Sequence, residues 1–237
     1  MLPANLTRDS RVCTDLPMRL SFVVSLVSVS ILCTGLSAGA LAGDAEPEKT
    51  HSVRVHWSKS SETDLVTVVI GDYQKSPESN YLIGATWGAP LSDTLFGLPF
   101  RMTLNFGMQY FDERNYQADG LGVTGFVKAH YPLRIPFTSK HIELGLGEGL
   151  SYVSQIPMSE KRDFAKKGVE SEKLMNYLEW TIDVPLSQFA FFEPMMQGRI
   201  KELSVGFIVW HRSSVFGLMG ESAGGVNFMG LGVEGKY

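Results

Sequence analysis

The chain has 237 residues, a formal net charge of −4, 14 Phe, 8 Tyr and 24 Gly, and its mean hydropathy is near zero at +0.01. That length holds one domain with a sizeable core. The mild acidity gives no reason to expect a nucleic-acid partner, and the hydropathy excludes a helical membrane protein by composition.

Residues Met18 to Ala42 read MRLSFVVSLVSVSILCTGLSAGALA, with Arg19 ahead of an apolar run and small residues around Ala40-Leu41-Ala42. This is the pattern of a secretory signal peptide with a small-residue cleavage site. Met1 to Pro17 is polar and fits such a leader poorly, so the reading places the true start at Met18. A transmembrane anchor suits the run less well because it is short and dissolves into small residues. A lipoprotein signal at Cys33 is weak because the bulky Leu32 precedes it. Both cysteines, Cys13 and Cys33, lie before the expected cleavage. The mature protein is therefore expected to have no thiol, no disulfide and no thiolate chemistry.

After a polar lead-in at Gly43–Thr50, the chain shows short runs of period-two alternation separated by turn signals. In Phe100–Phe111, Phe100, Met102, Leu104, Phe106, Met108 and Tyr110 share one face, and Arg101, Thr103, Asn105, Gly107 and Gln109 the other. Leu121–Tyr131 and Leu174–Leu186 repeat the pattern. In His141–Ser154 it recurs, with Glu148 interrupting the apolar face. The runs are about ten residues or longer, enough to cross a membrane at a tilt. Trp87, Tyr110, Tyr131 and Tyr152 fall at run ends, as an interfacial aromatic girdle requires. In a secreted chain with an aromatic last residue, these features favour a closed outer-membrane barrel over a sandwich, because closure removes edges that lipid cannot hydrate.

Nine candidate strands appear: Val53–Trp57, Asp64–Tyr73, Asn80–Gly88, Phe100–Phe111, Leu121–Tyr131, His141–Ser154, Leu174–Leu186, Glu202–Ser213 and Val226–Tyr237. Bacterial single-chain barrels have even strand numbers. The expectation is therefore an all-β, eight-stranded antiparallel barrel over residues 64–237, with 43–63 as a periplasmic lead-in or an extension of the first strand. A hairpin of Val53–Trp57 with Asp64–Tyr73 is the rival arrangement. An eight-stranded interior is filled by side chains, so Arg101, Lys128, Glu143, Glu179 and Asp183 are expected to pair inside. Asp112–Gly120 and Gln155–Glu172 become outer loops. The second holds SEKRDFAKK, either a solvated mobile loop or an attractor of lipopolysaccharide phosphates.

The last hairpin carries the chemistry. Leu203, Val205, Phe207, Val209, His211 and Ser213 share one face of its first arm, so an apolar face ends in a base and a hydroxyl. In a barrel that face meets lipid, near the ester-linked acyl chains of lipid A. His beside Ser permits general-base activation of a nucleophile. A third group must hold the imidazole in its useful tautomer. Asn227 alternates with Met229, Leu231 and Val233 on the lipid face of the next arm, and Glu221 in the loop is the other candidate.

The ending WHRSSVFG…GGVNFMGLGVEGKY resembles the PagL-type lipid A deacylases of the outer membrane, and LGEGLSYVSQIPMSEKR…SEKLMNYLEWTIDVPL is similar to a branch of them. The resemblance implies His211 as base, Ser213 as nucleophile, and hydrolysis of a 3-O-linked acyl chain. The family's carboxylate falls at or near Asn227, so the third member here is an amide or has moved to Glu221. The family's oxyanion-binding Asn after the nucleophile is here Ser214. No metal or cofactor is needed. The expected partners are lipid A or lipopolysaccharide as substrate and the surrounding outer-membrane lipids, with a homodimer left open. The competing readings are a non-catalytic small barrel with a structural or lipopolysaccharide-binding role, and an acyltransferase on the same surface.

Overall fold

The computed structural model describes residues 50–63, 67, 73–196, 198–214 and 225–237. The expected leader and Glu221 lie outside the described residues. Eight antiparallel strands form a closed barrel: β1 (Ser52–Ser61), β2 (Tyr81–Ser92), β3 (Arg101–Asp112), β4 (Gly120–Arg134), β5 (His141–Val153), β6 (Leu174–Pro185), β7 (Glu202–Ser213) and β8 (Gly225–Lys236). Each strand pairs with the next in sequence, and β8 closes on β1. His51 and Tyr237 exchange backbone hydrogen bonds of 3.1 and 2.9 Å, so both ends of the barrel meet at one rim. The opposite rim carries the ends of β1, β3, β5 and β7 and the starts of the even-numbered strands.

Period two sorts the side chains. In β3, Thr103, Asn105 and Gln109 are buried inside while Leu104, Phe106, Met108 and Tyr110 are exposed outside. The exterior is the apolar side: Met108 is 70 %, Leu231 68 % and Leu121 62 % exposed. This apolar exterior over a polar interior is the arrangement found in barrels of the outer membrane. Outward aromatics gather near both rims. Trp87 Nε1 donates to Tyr237 Oη at 3.2 Å on the terminal side, and Trp57 stacks on Tyr81 at 5.1 Å on the other.

The interior is filled in layers. Near the terminal rim Arg54 lies 2.5 Å from Asp183 and 3.0 Å from Glu234. Glu143 collects Arg101, His130 and Lys236, each at 2.9 Å. Further in, Lys128 meets Glu179 at 2.7 Å, and Tyr177 Oη donates to the same carboxylate at 2.7 Å. A Cβ on Gly145 would collide with the Lys128 side chain, so this glycine opens the path by which Lys128 reaches Glu179. Pairing these charges offsets a desolvation cost of several kcal/mol per ion, and all five charged lumen residues expected to pair do so. Toward the far rim the filling becomes apolar: Leu82, Phe111, Phe126, Val153, Tyr177, Trp210, Val226 and Phe228 form one buried cluster. Its rings meet edge to face, as in Phe111–Trp210 at 5.5 Å and Trp210–Phe228 at 5.7 Å, each contact adding about 0.5–1.5 kcal/mol beyond area burial.

One assignment is corrected. The barrel begins at Ser52, not residue 64: the segment Val53–Trp57, expected as a lead-in or an extension of the first strand, is the heart of β1 and pairs with both β2 and β8. The eight described strands close into the barrel, and Asp64–Tyr73, the other arm of the rival hairpin, lies largely outside the described residues. The physical reason is legible afterwards. A wall strand has one apolar and one polar face; Val53, Val55 and Trp57 point out while Arg54, His56 and Ser58 point in. Residues 65–70 (LVTVVI) are apolar on both faces.

Over the far rim lies a helix, α1 (Met158–Lys166), within the basic stretch. It starts at Pro157, has Glu160 in its first turn and Lys166 in its last, and is followed by Gly168 at φ 72°. Those charges complement the helix dipole and the glycine supplies the left-handed exit. The stretch is therefore a docked helix rather than a solvated loop, with Glu160 and Phe164 buried.

Candidate active site

The site is built where β7 and β8 reach the far rim. The register sets His211 opposite Asn227 and Ser213 opposite Gly225. The outward positions of β7 follow the expected alternation except Val209, which is fully buried, and Trp210 and Arg212 are turned inward and fully buried. His211 Nδ1 and Asn227 Oδ1 lie 2.7 Å apart, while Asn227 Nδ2 donates to the Thr63 carbonyl at 2.6 Å. The Thr63 contact fixes which end of the amide is oxygen. An amide oxygen only accepts, so Nδ1 carries the proton and Nε2 is left as the basic nitrogen.

Gly225 shapes the space beside that nitrogen. A Cβ there would lie 2.9 Å from His211 Cε1 and 3.2 Å from Ser213 Cβ, and would run into the Arg212 carbonyl. The imidazole edge and the serine thus both pack close to Gly225, where a side chain would have no room. Ser213 and His211 are both half-buried, and Asn227 is 6 % exposed. On the other flank, β6 sets Leu178 opposite His211 and Asn176 opposite Ser213. Asn176 shares the outward face with Leu178 and Trp180 and is half-buried.

Two contacts tie this corner to α1. Arg212, between His211 and Ser213 in sequence, runs inward and up to Glu160, with Nε 3.2 Å from Oε2. Neither of these two atoms meets hydrogen-bond geometry; the directed bond of the pair runs from Arg212 Nη2 to Glu160 Oε1 at 3.5 Å. Arg212 Nη2 also donates to the Glu172 carbonyl at 2.7 Å. Burial pushes the Glu160 carboxyl above its ordinary range, with Arg212 and a hydrogen bond from Ser171 pulling against that. The Gly225 N–H donates to Asp163 Oδ2 at 3.3 Å. The strand ends bearing the nucleophile candidate and its facing glycine are therefore both pinned to one helix.

The remaining expected residues fall differently. Ser214 follows β7 directly, is fully buried, and has an interaction of its own; its side chain belongs to the interior rather than to the surface that Ser213 faces. The basic cluster is largely spent inside the molecule. Arg162 pairs with Glu62 and with Glu78, the latter at 2.6 Å. Lys167 meets Asp163 at 2.8 Å and Lys161 donates to Gln117 at 2.6 Å; Lys166 is left mainly in solvent. Among the described residues no group of three His, Cys, Asp or Glu is placed to hold a metal ion. Sequence reasoning missed Thr63, Gly225 and Asn176. Only the last had a signal: extending the alternation of Leu178, Trp180 and Ile182 back by one step puts a polar Asn176 on an apolar face.

No family model and no curated protein matches this chain.

Proposed function

We propose that the chain is an outer-membrane esterase that hydrolyses an ester-linked acyl chain of lipid A, the 3-O-linked chain by its resemblance to PagL-type deacylases. The single observation that carries the reading is the 2.7 Å bond between His211 and Asn227 on the outward wall, at the rim away from both termini and beside Ser213. With both termini in the periplasm, that rim lies in the outer leaflet, where lipid A and its esters are. A secretory leader at Met18–Ala42 would deliver the protein to a Gram-negative outer membrane. An idle polar pair facing hydrocarbon costs free energy, so a catalytic role accounts for its presence.

The reaction follows from the tautomer. His211 Nε2 takes the Ser213 hydroxyl proton as Oγ attacks the ester carbonyl. The tetrahedral intermediate collapses by breaking the bond to the sugar oxygen, which takes the proton back from Nε2. Water, deprotonated by the same nitrogen, then attacks the acyl-serine, releasing a fatty acid and restoring Ser213. Asn227 holds the ring and its tautomer throughout; no metal takes part.

Mass spectrometry of lipid A tests this in cells expressing the wild type, Ser213→Ala and His211→Ala at equal outer-membrane levels. The wild type is expected to remove one hydroxyacyl chain and both variants to leave lipid A intact. Unchanged lipid A with folded wild type would instead favour the non-catalytic barrel, and full activity of Ser213→Ala would refute the nucleophile.

A further inference from the structure

An acyl transfer at Ser213 needs donors for the oxygen that becomes negative in the tetrahedral intermediate. This question rests on the esterase reading above. In a barrel wall, backbone N–H groups lie along the sheet and are spent on strand pairing, so they do not project toward a lipid-side substrate. At this corner even the rim Gly225 N–H is taken by Asp163. Among the described residues, the donor is then an outward side chain next to Ser213.

The register leaves few choices. On β8 the facing residue is Gly225, which has no side chain, and the diagonal one is Asn227, whose Nδ2 is committed to Thr63. Along β7 the neighbour is His211, the base. On β6 the diagonals are Leu174 and Leu178, and the directly opposed residue is Asn176. Ser214 is buried. Among the described residues the Asn176 amide has no recorded hydrogen bond. It stands across from Ser213 at the about 4.5–5.5 Å Cβ spacing of facing residues, so its Nδ2 reaches the position of an oxyanion on the acyl carbon.

We infer that Asn176 is a catalytic residue of this site, the side-chain donor that binds the oxyanion formed at Ser213. The base leans toward β8, over Gly225 and against Asn227, and the oxyanion donor stands on the β6 side. The acyl carbonyl lies between them. The role that the sequence reading assigned to Ser214 moves one strand away.

Steady-state kinetics of the purified barrel on lipid A in mixed micelles tests the assignment, with folding of each variant checked by circular dichroism. Asn176→Ala is expected to lower kcat by about 10²–10³ with KM within about threefold. Asn176→Asp, which keeps the shape but loses the donors and adds repulsion, is expected to lose at least as much; it decides the matter if the alanine variant does not fold. A phosphonate ester that mimics the tetrahedral state should inhibit Asn176→Asp less well than wild type by a similar factor. A kcat within threefold of wild type in the folded variants overturns the assignment. An active wild type with unaffected Asn176 variants refutes this inference alone, whereas an inactive wild type refutes the esterase reading and this inference with it.

Discussion

The amide of Asn227 is engaged at both ends, accepting from His211 and donating to Thr63. A carboxylate could do the first but not the second, because it has no hydrogen to give. The amide is therefore fitted to this corner rather than a degraded carboxylate, and its neighbour Thr63, 3 % exposed, sits in the segment that follows β1. Asn227→Ala is expected to lower kcat by about 10²-fold or more, through loss of the ring's tautomer and orientation. Asn227→Asp is expected to lose stability as well, since a carboxylate would face the Thr63 carbonyl. Kinetics paired with chemical unfolding separates the two effects. Glu221→Ala should cost less activity than Asn227→Ala; the reverse order would move the orienting role into the loop.

Among the elements, α1 does more than close the far rim. Its Glu160 and Asp163 hold the ends of β7 and β8, so the spacing of Ser213 from its facing glycine depends on how the helix is docked. The side chains of Glu160 and Arg212 are both fully buried. Removing one leaves the other charged in a low dielectric, a change that typically costs about 3–5 kcal/mol. Glu160→Ala is expected to lower stability on that scale in urea unfolding and to reduce activity with it. Double replacement of Glu160 and Arg212 by methionine should recover most of the stability. A Glu160→Ala variant as stable as the wild type would show that the pair carries no net weight.

At the scale of the whole molecule, the lumen is a packed interior. Among the described residues, ion pairs fill the terminal half and an aromatic cluster the far half of the axis. In planar bilayers it is expected to show no single-channel conductance; stable open events of porin size would contradict the packing. A filled lumen also makes the wall stiff, which suits a site assembled from side chains on three neighbouring strands. Such a site needs the strand register to be kept.

The strand pattern was legible because a barrel wall between an apolar exterior and a polar interior imposes period two on every strand. Seven of the nine proposed runs coincide closely with strands, and Leu203 to Ser213 alternates as expected except at the buried Val209. The same rule, applied without knowing the neighbours, misjudged the start: β1 is polar beyond Trp57 and short on outward apolar residues, while residues 65–70 mimic a stronger strand. Alternation also put His211, Ser213 and Asn227 on one face, because facing direction within a strand is a local property. Which residues meet across strands is not local. It depends on register, set by loop lengths and by packing of the whole interior. Sequence alone therefore determined the barrel, its apolar exterior and a base beside a hydroxyl at one rim. Only the tertiary structure decided that Thr63 orients the amide, that Gly225 lets the imidazole and serine pack close, and that Asn176 stands across from the serine.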